Sequence, residues 1–96
     1  MVKHVVCFKL KDNSPEACQK AKEVLMGMKG EVELLREISV GIDFLHSPRS
    51  YDLILETVFD SKEDLAAYQE HPYHVNVVKQ YMHAVRTASI SLDWEL

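Results

Sequence analysis

The stretch VKHVVCFKL, residues 2–10, alternates with a period of two and carries apolar side chains on both sides of that alternation. Val2, His4, Val6, Phe8 and Leu10 share one side, while Lys3, Val5, Cys7 and Lys9 share the other. Such a period with β-branched residues is the pattern of a strand. Its first side needs full cover. Its second is too apolar for a solvated surface and too charged for the core of a single subunit. Any fold that contains this strand must solve both problems.

The following residues supply one cover. Ser14-Pro15-Glu16 is a helix start: Ser caps, Pro is preset for the first helical position, and Glu faces the positive end of the helix dipole. Ala17, Cys18, Ala21, Val24, Leu25 and Met28 recur at three- and four-residue spacing, a stripe that packs on a sheet, and Gly30 is the expected stop. Leu34, Ile38, Val40 and Ile42 read as a second strand. After a loop at residues 44–50, Tyr51, Leu53, Leu55, Thr57 and Phe59 form one face of a third strand, with Asp52, Ile54, Glu56 and Val58 on the other. Ser61-Lys62-Glu63-Asp64 resembles a capping box and opens a second helix near Leu65. His71-Pro72 bends it, because proline disfavours helical geometry in the residue before it, and a further short helix carries Val75, Val78, Tyr81 and Met82. A last strand places Ala88, Ile90, Leu92 and Trp94 on one side and Thr87, Ser89, Ser91 and Asp93 on the other.

The order β-α-β-β-α-β with right-handed crossovers predicts an α+β, ferredoxin-like domain over residues 1–96: a four-stranded antiparallel sheet with its helices on one face. The bare face, with Lys3, Val5, Cys7, Asp52, Ile54, Glu56 and Val58, predicts a homodimer packed sheet to sheet. The Lys and the acids on it are expected to pair across the sheet or across the subunits, since buried charges need partners.

Composition removes several functions. Lys and Arg total 11 against 15 Asp and Glu, with no basic block, so no nucleic-acid footprint is present. The longest apolar run, Val5–Phe8, is far short of the roughly 20 residues of a membrane span. The charged, alternating start is not a signal peptide, and two cysteines expected on different layers make no disulfide framework, so a reduced cytoplasmic protein is expected. There is no glycine-rich phosphate loop and no zinc spacing, and no cofactor is implied.

The start VKHVVCFKLK, the central SYDLILETVFDSKEDLAAYQEHPYHVNVV and the final strand resemble the stress-responsive dimeric α+β barrel family, Dabb, from Val2 to about Trp94. The most specific part is Tyr68-x-x-His71-Pro72-x-His74-Val75 combined with His4. The resemblance implies two ferredoxin-like subunits joined into an eight-stranded barrel. One plant member of the family is a cyclase that closes a linear polyketide thioester by aldol chemistry without a cofactor. Its catalytic Tyr and His match Tyr68 and His74 here, and a pocket His matches His4.

The residue types allow that chemistry. A neutral imidazole serves as general base, and a Tyr hydroxyl donates to a developing oxyanion, which suffices for enolisation, isomerisation or aldol closure. Two readings of His74 stand side by side: the base, or a polar core residue bonded to Tyr68 or to a carbonyl. His4, on the apolar side of its strand, points toward the helices. His71 at the bend reads as a helix cap, and His83 at a helix end reads as solvated. The sequence therefore predicts a small-molecule-binding homodimer, alternatively a lyase, isomerase or cyclase with His74 as base and Tyr68 as helper. The distinction rests on an open cavity beside His4, Tyr68 and His74, which Phe8, Phe59, Tyr81 and Trp94 have the bulk to fill.

Overall fold

In the computed structural model, which describes residues 1–96, the alternating opening segment forms β1 (Val2–Leu10) at the middle of the sheet. It is followed by α1 (Pro15–Met26), β2 (Glu37–Ile42), β3 (Leu53–Phe59) and α2 (Lys62–Gln69). A π-helical stretch (His74–Lys79) then runs directly into α3 (Gln80–Val85) and β4 (Arg86–Glu95). The strand order is β2-β3-β1-β4, and every neighbouring pair is antiparallel. This is the ferredoxin-like plan that the order of elements predicts.

Local signals act where expected. Ser14 Oγ accepts from Ala17 N at 3.2 Å, and Ser61 Oγ accepts from Asp64 N at 3.1 Å, each satisfying a free N–H of a first turn. Regular helix in α1 ends at Met26, before Gly30. The N–H groups of Met28 and Lys29 bond back to Leu25 and Met26, tightening the chain into turns that end at Gly30, whose φ of +87° only glycine adopts freely. Leu34 accordingly lies in the turns before β2, packed against the core rather than within the strand.

The core lies between α1 and the sheet. Ala21, Leu25, Met28 and Phe59 are wholly buried, and Cys18, Val32, Leu53 and Leu55 nearly so. Over the other half of the same sheet face the helical cover is irregular. Expected as two short helices joined at Pro72, it also widens into the π-helical stretch, whose buried residues His74 and Val78 continue to Met82 in α3 at four-residue spacing. Val75 is consequently turned outward and 37% exposed, where simple helical spacing would pack it.

Register sorts the two faces. His4 pairs with Thr57 and Asp93, Val6 with Leu55 and Ser91, and Phe8 with Leu53 and Ser89, so these side chains face the helices. Lys3, Val5 and Cys7 share the open face with Trp94, Leu92 and Ile90 of β4 and with Val58, Glu56 and Ile54 of β3. Ile90, Leu92 and Trp94 are 53%, 66% and 42% exposed. Trp94 therefore fills no space under the helices; Lys3 Nζ lies 6.0 Å from its ring centroid instead. Val58 is already buried at 3%, so the bare apolar surface belongs chiefly to β4, with half-buried Val5, Cys7 and Ile54 beside it.

The charges expected on the open face divide differently. Lys3 Nζ pairs with Glu56 Oε1 at 3.4 Å within the chain, and Lys9 Nζ sits 4.9 Å over the Tyr51 ring. Asp52 is not on that face. It precedes β3, is buried, and accepts from Leu10 N at 2.8 Å and from Asn13 Nδ2 at 3.3 Å, tying the end of β1 to the start of β3. A carboxylate satisfied by nearby amide groups needs no lysine. Cys7 and Cys18 are free thiols, and burial pushes both upward from the ordinary thiol range, keeping them protonated.

Candidate functional site

Strand β1, helix α2 and the π-helical stretch bring His4, Tyr68 and His74 together. The rings of Tyr68 and His74 are tilted with centroids 4.4 Å apart, and Tyr68 meets His4 edge-on at 6.1 Å. Phe59 braces Tyr68 from the sheet at 4.8 Å. The bend at Pro72 makes this possible: a straight helix would separate residues six apart by more than a turn and a half. His71 holds the bend, as a cap should. Its Nδ1 accepts from Tyr73 N at 3.1 Å, its carbonyl accepts from Val75 N at 2.9 Å, and its Nε2 reaches Glu33 Oε2 at 3.2 Å.

The three side chains line a cavity of about 260 Å³ between the sheet and the π-helical stretch. Val6, Phe8, Leu25, Leu55, Val78 and Met82 form its apolar wall, Ser89 and Ser91 lie along β4, and Gln69, Lys79, His83 and Arg86 complete the lining. Phe8 lines the cavity without closing it. Three larger depressions, of about 430, 440 and 290 Å³, lie elsewhere on the chain, and none is lined by a histidine.

Each histidine is oriented by one nitrogen. His74 Nδ1 lies 3.3 Å from the Gln69 carbonyl, which only accepts, so Nδ1 carries the proton and Nε2 keeps its lone pair. His4 Nδ1 donates to the Asp93 carboxylate opposite it on β4, which again leaves Nε2. Neither Nε2 has a protein partner, and neither is sealed from solvent. Burial holds the imidazole of His74 below its ordinary value, offset in part by the Gln69 carbonyl, with the charges of Lys79, His4 and His71 adding to the lowering. A neutral ring with a free Nε2 is the state a general base requires.

Tyr68 is 1% exposed, and burial pushes its phenol well above the ordinary tyrosine range, so it remains a donor. Its hydroxyl donates to Met28 Sδ at 3.5 Å. A thioether is a weak acceptor, so an oxyanion brought within reach would take that proton's hydrogen bond in preference.

Lys79 and Arg86 line the candidate cavity and Asp93 bonds its His4, although no sequence motif singles them out. Asp93 is legible in principle: it shares its strand face with Ser89 and Ser91, and the register then sets it opposite His4. His83 is exposed, as its place at a helix end suggests, but it stands on the rim of the cavity.

The chain is thus a two-layer ferredoxin-like domain with a His-Tyr-His cavity under a broken helix. The chain matches the model of the Stress responsive A/B Barrel Domain family, Dabb, over residues 2–96, and it belongs to that family. It is 29% identical over 97 residues to a stress-response A/B barrel domain-containing protein of Arabidopsis thaliana, covering 98% of this chain and 36% of that protein. Against a shorter protein of the same plant and the same description, identity is 38% over 82 residues, covering 77% of this chain and 71% of that relative. The chain thus spans about a third of the longer relative. Among solved structures, a dimeric protein of unknown function and ferredoxin-like fold from Bacteroides fragilis NCTC 9343 superposes with a TM-score of 0.81 at 27% identity, covering 99% of this chain and 95% of that one.

Proposed function

We propose that this chain is one subunit of a homodimer that binds a small organic molecule in the cavity beside His4, Tyr68 and His74. The observation that carries the reading is the cavity itself: about 260 Å³ of space, walled by apolar side chains, into which two oriented histidines bring unbonded nitrogens. Convergent polar groups in an apolar pocket are the usual mark of a ligand site. The dimer is supported by the exposed Ile90, Leu92 and Trp94 on the open face and by the dimeric relative of the same fold.

Sedimentation at low micromolar concentration tests the assembly. The wild type is expected at about twice the monomer mass of 11.0 kDa, and Leu92→Asp at once that mass. Leu92 is 66% exposed in the single chain, so the new carboxylate is solvated in a monomer and buried only in the dimer. A dimer that survives Leu92→Asp places the interface elsewhere.

The tautomer of His74 favours a second reading, cofactor-free proton transfer of the lyase, isomerase or cyclase type. Nε2 takes a proton from the carbon beside a substrate carbonyl, the C–H electron pair moves to the carbonyl oxygen as an enolate, and the Tyr68 hydroxyl stabilises that oxygen. The enolate then recovers a proton or attacks a second carbonyl of the same molecule. Deuterium uptake at the α-carbon of a simple acyl thioester in heavy water is the measurement. Wild type should accelerate it, His74→Ala should abolish the acceleration, and Tyr68→Phe should reduce it by about 10²-fold or more. Equal exchange in all three leaves a binding protein without chemistry.

A further inference from the structure

We propose that the cavity takes an organic anion, a molecule with an apolar body and a carboxylate or phosphate end, and that Lys79, His83 and Arg86 hold the charged end at the rim. The inference rests on the cavity being the binding site. Its lining includes these basic side chains and no Asp or Glu, in a chain with 15 acidic residues against 11 Lys and Arg, and the neighbouring Asp93 carboxylate is taken up by His4. Lys79 and His83 are one helical turn apart on the π-helical stretch and α3, and Arg86 follows where α3 passes into β4.

None of the three has an acidic partner within the chain. An ammonium and a guanidinium left without intramolecular carboxylates offer their donors outward, and the guanidinium fork matches a carboxylate or phosphate in two hydrogen bonds. Burial grades in the same direction: Val78 and Met82 inside are 3% exposed, whereas Lys79 and His83 stand in solvent. The Lys79 charge also reaches His74, where it helps keep the imidazole neutral, so the cationic rim and the candidate base act on one space. A ligand entering apolar end first would leave its anionic end among the cations.

Calorimetric titration with phenylbutanoate, phenylbutanamide and phenylpropyl phosphate tests this, using wild type, Lys79→Gln, Arg86→Gln and the charge-keeping Lys79→Arg. The wild type should bind one or both anions about tenfold tighter than the amide, the scale of one charge-assisted hydrogen bond. Whichever anion binds tighter identifies the headgroup. Both Gln variants should lose most of that preference while holding the amide unchanged, and Lys79→Arg should retain it. The backbone amide signals of His74 and Val78 report whether each probe enters the cavity. If those signals move but acid and amide bind equally, the anion assignment is wrong while the cavity remains the binding site. If no probe moves them, both the assignment and the binding reading fall.

Discussion

The sheet is roofed by two helical layers of different construction. Helix α1 is capped by Ser14, preset by Pro15, and seats Cys18, Ala21 and Leu25 at 0–2% exposure. The second roof is interrupted at Pro72 and widened between His74 and Lys79. Beneath α1 lie β2 and β3, with apolar side chains such as Val40 and Leu53. Beneath the broken roof the sheet offers His4, Ser89 and Ser91. A regular helix on an apolar floor closes a core, whereas an irregular one on a partly polar floor leaves room. One domain thus places a closed core under one roof and the candidate cavity under the other.

Matched methionines give the largest test of that division. Met28→Ala at the end of the dense half should cost about 2–5 kcal/mol in denaturant unfolding, because it opens a sealed void. Met82→Ala, beside the cavity, should fall at or below the lower end of that range, since water already has access to the space. Equal costs would erase the contrast between the halves.

The pH dependence of stability is the next effect in size. His74 binds its proton less well in the folded chain than in the unfolded one, whose value is about 6.5. The unfolded state therefore holds more protons below that pH, and stability rises with pH across the window. The contribution is fully present above about pH 6.5 and is lost as pH falls through the lower folded value. Denaturation midpoints at about pH 7.5 and pH 5.5 should differ more in wild type than in His74→Gln. At most about 1.4 kcal/mol per pH unit is at stake, less whatever the solvent reaching the ring screens. Identical pH profiles would show that His74 is no more buried than an ordinary surface histidine.

The smallest expected change in stability is that of Tyr68→Phe, under about 1 kcal/mol, because the hydroxyl gives up only a bond to sulfur. A greater loss would assign that hydroxyl to the core and not to the cavity.

Legibility in the sequence follows the same division. Alternation in β1 and the caps at Ser14 and Ser61 are local signals that mark out the element order, from which right-handed crossovers give the strand order. His4, Tyr68 and His74 are singled out by the family resemblance, and the bend at Pro72 lets them converge. Asp52 escapes such reading because alternation alone does not reveal that a strand starts one residue later and that amide groups from β1 and the following loop claim its carboxylate. Val75 escapes it because a π-helical stretch shifts the buried stripe, and no residue type announces such a widening. Trp94 and Asp93 depend on which face of β4 meets the helices, a matter of register between segments some ninety residues apart.

That pairing of β1 with β4 also governs when the cavity comes into being. His4 lies in the first strand, Ser89, Ser91 and Asp93 in the last, and their registered contacts close the longest loop the topology contains. Closing so distant a loop is entropically unfavourable until other contacts have gathered the chain, and non-local pairing of this kind slows folding. While the chain is being synthesised, α1 and the β2-β3 pair have their partners before β4 exists. The dense half is therefore available as a template, and the cavity takes shape as one of the last events of folding, with the docking of a single strand.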